Sequence, residues 1–250
     1  MDIFAKYIPN FLLILLRAGV VVSLLPFLGS RNVPARFKIG FVVAIAFILT
    51  PVVEFKISQT EMPILVLREV MLGITFAFTA RSIFFAVDMA GQMMSNVMGL
   101  SIATVFNPEL GQSTEVAQIY GVIAMLIFLA MDIHHDLVYV FVKSYEWLPG
   151  GHIDIKNLAV YMISLGGKMF IIALKISAPV VIAMVISNLL LGFISKAAPQ
   201  MNIFFVGYPV YIFVGFIVML FSISVFMPVI GMYFNIIKDE MVRVIVIARG

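Results

Sequence analysis

Long apolar stretches, interrupted by short polar or turn-forming segments, run along the whole sequence. None shows the strict alternation of apolar and polar residues that a lipid-facing β-barrel strand requires. Because helices satisfy their own backbone hydrogen bonds in an apolar environment, we predict an all-α fold of integral membrane-type helical hairpins. The seven predicted stretches are residues 11–25, 39–53, 64–80, 89–106, 116–131, 158–194 and 203–237.

The lengths of these stretches are uneven. Residues 39–53 would rise only about 22 Å as a helix, which is less than a hydrocarbon core of about 30 Å. Residues 197–237 contain no charged residue. They would reach about 60 Å as one helix, so a single crossing would have to kink or extend beyond the bilayer. Pro209, Gly215 and Pro228 are the predicted kinks.

Two positively charged loops give conflicting topology signals. Lys and Arg in loops indicate the cytoplasmic side of a membrane. Arg31, Arg36 and Lys38 form one basic cluster, and Lys196 marks a second loop. If all seven stretches cross, these two loops lie on opposite sides of the membrane. Fusing two stretches, making one re-entrant, or giving up a conventional polytopic arrangement would each remove the conflict.

Pro199 predicts a turn between the two longest helices. It has no backbone N–H to donate, and it disfavours helical geometry at Ala198. We therefore expect the chain to fold back between Lys196 and Gln200.

Composition narrows the class of protein. Of 250 residues, 63% are hydrophobic and 12% are charged, and the mean hydropathy is +1.14. Soluble globules carry about 25% charged residues, and disordered chains are poor in aromatic residues.

The net charge of +3 is spread without a long basic run, which argues against nucleic-acid binding. The sequence has no cysteine, which excludes disulfides and thiol catalysis. We expect the N-terminal stretch to be a retained helix, because no small-residue cleavage site follows it.

Few residues could carry catalysis. His134, His135 and Asp136, with Asp132 nearby, form the only histidine cluster, and adjacent histidines on a helix project about 100° apart. The spacing of a zinc-binding helix is absent, as are nucleophile-elbow, phosphate-loop and dinucleotide signatures. We therefore predict no enzymatic activity, no metal site and no cofactor. The cluster is interpreted as a polar helix end at a water interface.

Charged residues inside the apolar stretches are a stronger signal, because an ionisable group at membrane depth needs a partner or a wet cavity. They are Arg68, Glu69, Arg81, Asp88, Lys168 and Lys175. Arg81 and Asp88 share a helix face, which favours mutual neutralisation. Lys168 and Lys175 have no acid in their stretch, so another helix, a partner subunit or water must supply the counter-charge. Ion conduction and subunit pairing both remain open for these groups.

Small residues recur every four positions at Gly91, Ser95, Gly99 and Ala103. On one helix they would form a ridge that lets another helix approach closely. The methionines beside the ridge are Met89, Met93, Met94 and Met98. Their flexible side chains suit either packing or a deformable gasket.

A mostly polar loop, residues 106–114, follows the ridge and is long for a helix connection. Asn107-Pro108 is expected to start its turn, and Gly111 to let it fold back. These residues are compatible both with a plug in a channel and with a surface loop. The candidate plug residues are Phe106, Asn107, Pro108, Glu109, Leu110, Gly111 and Gln112.

Several motifs together resemble one known family. They are Gly99-Leu100-Ser101, Asn107-Pro108, Ser144-Tyr145 before Leu148-Pro149-Gly150, residues 198–204, Gly207-Tyr208-Pro209, Arg17 before Pro26, and Arg68-Glu69 before Gly73. Their order and spacing resemble the flagellar biosynthetic FliR family and its injectisome counterparts. The Pro199-Gln200 turn followed by Gly-x-Pro is the most specific piece. Asn107 is a departure, since the family often has Asp there.

The resemblance implies a non-enzymatic subunit of the type III protein-export gate in the bacterial inner membrane, at the flagellar basal body. It implies assembly with FliP and FliQ-like subunits into a channel for unfolded protein substrates, beside membrane lipid and FlhB and FlhA-like export proteins. Residues 1–147 would be FliP-like, with a plug near 106–114, and residues 148–250 would form a FliQ-like helical hairpin. The expected subunit contacts are Arg68, Glu69, Lys168, Lys175, Lys196, Pro199 and Gln200.

A second function stays open at this point: a small secondary transporter or proton channel that uses Arg68, Glu69, Lys168 and Lys175 as a relay. Transporters often have two halves of similar hydropathy. Here, short and loop-rich stretches precede two long ones, and this asymmetry favours the export gate.

Overall fold

The computed structural model describes residues 2–26, 28–29, 33–53, 55, 62–100, 114–148, 153–200 and 202–249. All regular secondary structure within these ranges is helical, which confirms the predicted all-α class. The helices are α1 (Asp2–Leu24), α2 (Ala35–Leu49), α3 (Met62–Val97), α4 (Glu115–Ala130), α5 (Ile133–Trp147), α6 (Ile155–Ala197) and α7 (Ile203–Arg249).

Four of these helices, α1, α3, α6 and α7, are long and apolar enough to cross a membrane. The number rises to five if α4 and α5, which are separated by a short break, form one interrupted span. Helix α2 has only 15 residues. Its short rise agrees with the expectation that this stretch spans a bilayer poorly.

Helix α3 corrects the predicted division of the chain. The stretches 64–80 and 89–106 were expected to be separate, but α3 is one helix of 36 residues. Arg81 and Asp88 lower the hydropathy between the two stretches, yet residues 81–88 contain no Gly or Pro that would end a helix. The helix ends at Val97, and residues 101–106 of the predicted stretch lie outside the described residues.

Helix α5 is an element that hydropathy alone does not reveal. It begins after a break at Met131 and Asp132, where Asp132 has a φ of 57°. Buried side chains recur at Ile133, Leu137 and Val140, as expected for one face of an amphipathic helix. The polar residues between these positions interrupt the apolar sequence and hide this helix from a search for long apolar runs; they include His134, His135 and Asp136.

Helices α6 and α7 form a long antiparallel hairpin. Near its turn, a Cβ built on Gly207 would lie 3.6 Å from Leu191. Towards the far ends, the Tyr161 hydroxyl donates to Glu240 Oε2 at 3.0 Å. The predicted turn is confirmed, because α6 ends at Ala197 and α7 begins at Ile203. Helix α7 stays helical through Pro209 and Pro228.

The chain divides into two compact units. Unit 1 contains Met1–Ser82, Asp132–Gly166 and Phe234–Gly250, and unit 2 contains Ile83–Met131 and Gly167–Tyr233. Helices α3, α6 and α7 therefore contribute to both units. The proposed division at residue 147 concerns likeness to other export subunits and stays a prediction.

Candidate functional site

Close packing of α1 against α3 prepares the most polar site in the interior of unit 1. A Cβ built on Gly73 would lie 3.0 Å from Val20 Cβ and 3.3 Å from the carbonyl oxygen of Arg17. Both distances are tight for a real side chain, so glycine allows the two helices to approach here. The approach places the side chain of Arg17 on α1 next to that of Glu69 on α3.

Arg17 and Glu69 form a bidentate ion pair. Arg17 Nε donates to Glu69 Oε2 at 2.5 Å, and Arg17 Nη2 donates to Oε1 at 2.7 Å. Both residues are fully buried. Parallel N–H···O bonds to a carboxylate are among the strongest pairings available to an arginine.

Helix α5 supplies the remaining partners of the guanidinium. Arg17 Nη1 donates to Ser144 Oγ at 3.0 Å, and Nη2 donates to the Leu148 carbonyl at 3.3 Å. The guanidinium carbon lies 4.2 Å from the ring centroid of Tyr145. Tyr145 in turn donates its hydroxyl proton to the Ile14 carbonyl at 3.2 Å. We call Arg17, Glu69, Ser144, Tyr145 and the Leu148 carbonyl the arginine cluster.

The arginine cluster ties α1, α3 and α5 together with directional bonds. Desolvating two charges is costly, and good geometry with additional hydrogen bonds is needed to offset that cost. Glu69 is fully buried among these partners, and its assignment as a subunit contact stays a prediction. Arg68, its neighbour, is half-buried, and its assignment as a subunit contact stays a prediction.

The C-terminus of α3 is closed by a Schellman motif. The N–H of Leu100 donates to the Ser95 carbonyl at 3.0 Å, and the N–H of Gly99 donates to the Asn96 carbonyl at 3.2 Å. Gly99 has a φ of 78°, which glycine adopts without strain. Gly99 therefore caps α3 just beyond its last helical residue, and it still lies close to α7, since a Cβ built on it would come within 2.8 Å of the Tyr208 ring. Its place in a packing ridge stays a prediction.

The first two residues of the proposed ridge do lie in tightly packed positions. A Cβ built on Gly91 would come within 2.7 Å of both Ala117 Cβ and the Ala117 amide nitrogen, so α4 packs directly on the α3 backbone. Ser95 is fully buried. Ala103 lies outside the described residues, and its role stays a prediction.

The methionines beside the ridge pack in different directions. Met98 and Met94 are fully buried. Met98 fills the space above Gly215 on α7, where its Sδ would lie 2.8 Å from a built Cβ. The Ser177 hydroxyl on α6 lies 3.7 Å from Met93 Sδ. Met89 is half-buried. A gasket role stays a prediction.

All seven candidate plug residues, 106–112, lie outside the described part of the chain. Their C-terminal neighbour Thr114 is the N-cap of α4, and its hydroxyl accepts a hydrogen bond from the Ala117 N–H at 3.4 Å. Gly99 and Thr114 thus cap the two helices on either side of residues 101–113.

The remaining predicted contact residues lie on or beside the α6–α7 hairpin. Lys168, Lys175, Lys196, Pro199 and Gln200 are all exposed. Lys175 Nζ lies 3.4 Å from the Tyr233 hydroxyl, a neutral oxygen on α7. Lys196 is in the last turn of α6, where a cation is favourable beside the helix C-terminus. Their role as subunit contacts stays a prediction.

The histidine cluster is more compact than the sequence suggested. Donor atoms of Asp132, His134 and His135 lie within 4.8 Å of one another. Asp132 and His135 are strongly exposed and 3.5 Å apart. Asp136, which sequence analysis grouped with them, pairs with Lys238 at 2.6 Å instead. Exposed groups of this kind are common without a metal, so the geometry alone assigns no ion.

Comparison with known proteins identifies the family. Residues 8–236 match the family described as bacterial export proteins, family 1. The flagellar biosynthetic protein FliR of Bacillus subtilis is 31% identical over 242 residues, covering 93% of each chain. FliR of Escherichia coli is 30% identical over 90% of each chain, and FliR of Caulobacter vibrioides is 27% identical over 219 residues. With its spanning-length helices, the chain is therefore a membrane protein of the flagellar export apparatus and belongs to the bacterial export protein family that includes FliR.

Proposed function

We propose that the chain is a structural, channel-forming subunit of the flagellar type III export gate and helps unfolded protein substrates cross the bacterial inner membrane. The observation that carries this proposal is the family match over residues 8–236. A family of export proteins is not a family of enzymes, and the proposal includes no catalytic residue and no cofactor.

Partner subunits are part of the proposal. Large exposed hydrophobic side chains line the α6–α7 hairpin, among them Phe193, Phe205 and Phe221. Such a surface requires lipid or another subunit to cover it. We assign its covering to FliP and FliQ-like subunits, with FlhB and FlhA-like proteins at the same basal-body site. Residues 148–250 would take the place of a FliQ-like hairpin, and residues 1–147 that of a FliP-like part.

Co-expression tests the assembly. The full chain, expressed with the FliP and FliQ-like subunits of the same organism, should elute with them as one large complex. Charge reversal at Lys196 with Gln200→Glu should weaken that complex at least severalfold, because both side chains are exposed at the hairpin turn. Lys156→Glu, at the exposed start of α6, is the matched control and should leave the complex intact. A monodisperse monomer that conducts ions in liposomes would contradict the gate.

The plug is a separate part of the proposal. We propose that residues 106–112 obstruct the channel at rest. The caps at Gly99 and Thr114 support this, because a loop that starts and ends at capped helices can move without unfolding either one.

Deleting Glu109 to Gln112 tests the plug. The assembled deletion complex should leak small ions in resting cells, whereas replacing the same four residues with Gly-Ser-Gly-Ser should leak less, since that loop keeps its length. Wild-type ion permeability in a correctly assembled deletion complex would refute the plug while leaving the family assignment untouched.

The transporter alternative finds no support in the described residues. A proton relay needs a carboxylate that can exchange its proton, but both oxygens of Glu69 accept hydrogen bonds from Arg17 in a fully buried pair. Lys175, another proposed member, is exposed and beside a tyrosine hydroxyl.

A further inference from the structure

Unit 1 contains an apolar cavity of about 130 Å³ that the export proposal does not use. Side chains from α1, α2, α3, α5 and α7 line it, and all of them are apolar. They include Phe41, Ile45, Ile48 and Leu49 of α2 and Val138 of α5.

The cavity opens to the outside. Three of its lining residues are partly or largely exposed: Phe41 by 37%, Val138 by 51% and Ile48 by 67%. Apolar cavities of about 150 Å³ stay dry and bind small apolar molecules. Around a membrane protein, lipid acyl chains are the most abundant apolar groups. This cavity has room for part of one acyl chain.

A lysine lies at one end of this cavity. Lys38, Phe41, Ile45 and Leu49 are three, four and four residues apart, so they share one face of α2. Phe41, Ile45 and Leu49 line the cavity, and Lys38 is therefore one turn beyond its last lining residue on that helix.

The charged residues of α2 at this end are both cations. Arg36 is exposed in the first turn of α2, and the sequence has no acidic residue between Asp2 and Glu54. Asp136 precedes the lining residue Leu137 on α5, but its charge is balanced by Lys238 at 2.6 Å. Asp132 lies 3.5 Å from His135 at the start of the same helix. Glu240, which precedes the lining residue Met241 on α7, lies 3.4 Å from Arg243. Helix α2 itself carries two cations and no acid.

We propose that this cavity binds one acyl chain of an anionic phospholipid whose phosphate lies beside Lys38. An apolar cavity that opens to the surface, with a cation one turn above it, matches the two chemical parts of such a lipid. Arg36 adds long-range attraction, as basic residues beside a spanning helix do for anionic headgroups. The site does not depend on the export role and would be present in the isolated chain.

Lipid retention measured by native mass spectrometry tests the site. The full chain in detergent is given equal amounts of dioleoyl phosphatidylglycerol and dioleoyl phosphatidylcholine, which differ only in the headgroup. Wild type should retain the anionic lipid preferentially. Lys38→Gln should lower that preference about fivefold. The exposed Lys156→Gln removes the same charge from a residue outside the cavity and should change nothing.

Filling the cavity tests the acyl part. Ile45→Trp should lower retention of both lipids, and Ile48→Trp, at a more exposed position that tolerates a large side chain, gives a second test if the first variant folds poorly. Equal retention of both lipids by wild type, equal effects of Lys38→Gln and Lys156→Gln, or full retention by both tryptophan variants would overturn the proposal. Displacement by millimolar inorganic phosphate would also overturn it, because it would show a headgroup site without an acyl chain.

Discussion

Both units contain helices that approach closely at a glycine, but within the described ranges only unit 1 adds a buried ion pair to this packing. In unit 1, the arginine cluster joins three helices through charge-assisted hydrogen bonds between fully buried groups. In unit 2, as far as the chain is described, helices meet where glycine replaces a larger side chain, at Gly91 against Ala117 and at Gly215 against Met98. Directional bonds fix distances and angles, whereas close packing fixes only shape. The stability of unit 1 should therefore fall most when a hydrogen-bonding side chain is removed. The stability of unit 2 should fall most when a glycine is replaced by a larger residue.

The largest effect is expected from Arg17→Met. This change leaves the Glu69 carboxylate buried without its partner, and breaking a buried pair in this way costs about 3–5 kcal/mol. The unfolding free energy in detergent, measured by denaturant titration, should fall by that amount.

The double variant Arg17→Met with Glu69→Leu sharpens the test. Replacing both charges with apolar groups of similar volume is often close to neutral, so the second change should restore most of the lost stability. If the two single losses simply add, the ion pair is not what couples α1 to α3.

Unit 2 should be destabilised when a larger side chain replaces a glycine at a close helix contact. Gly91→Leu places a Cβ within 2.7 Å of the Ala117 backbone nitrogen, and overpacking of this kind costs about 1–3 kcal/mol or more. Gly121→Ala on α4 is the control, because a Cβ there meets nothing within 4 Å. Removing a helical glycine should stabilise the chain by about 0.5–1 kcal/mol. Equal thermal midpoints for the two variants would contradict close packing at Gly91.

Two buried serines give a direct comparison. Ser144→Ala removes the acceptor of Arg17 Nη1, which should cost about 1–3 kcal/mol. Ser95 Oγ has no hydrogen-bond partner among the described residues, so Ser95→Ala should change the unfolding free energy little or raise it. A larger loss of unfolding free energy for Ser95→Ala than for Ser144→Ala, in the same denaturant titration, would contradict the view that hydrogen bonds matter more in unit 1 than in unit 2.

The smallest effect concerns the α3 cap. Gly99→Ala forces a side chain into the left-handed region, at a cost of about 1–2 kcal/mol, and its Cβ would also come within 2.8 Å of the Tyr208 ring. Gly99→Asn should lose less, since Asn tolerates this conformation. Adding Tyr208→Ala to Gly99→Ala separates the ring contact from the backbone strain. Full recovery of the thermal midpoint in the double variant would show that the left-handed backbone conformation of residue 99 does not contribute to the loss.

Local signals in the sequence predict part of this fold well. The two long apolar stretches and Pro199 are enough to predict the α6–α7 hairpin, because each of these signals acts on neighbouring residues. Hydropathy divides α3 at Arg81 and Asp88, although the lack of Gly or Pro between them was the signal for one continuous helix. Helix α5 needed a search for amphipathic periodicity instead of apolar runs.

The arginine cluster could be suspected but not assembled from the sequence. A lone Arg17 in an apolar stretch signals a buried or membrane-exposed charge. Ser144 is 127 positions away, and nothing local specifies that α5 returns to α1. The sequence shows that Glu69 lies in an apolar stretch and needs a partner, but it does not show that the partner is Arg17, 52 positions away.

The partners of Arg17 in the arginine cluster are synthesised at different times. Glu69 is made 52 residues after Arg17, and Leu148 is made 131 residues after it. At about 5–20 residues per second, the guanidinium waits about 3–10 s for its carboxylate and about 7–26 s for its last acceptor. The partners of Arg17 are therefore synthesised in two steps, the carboxylate on α3 first and the acceptors on and after α5 later. A ribosomal pause between these two steps would hold the growing chain with its ion pair formed and its third helix still missing.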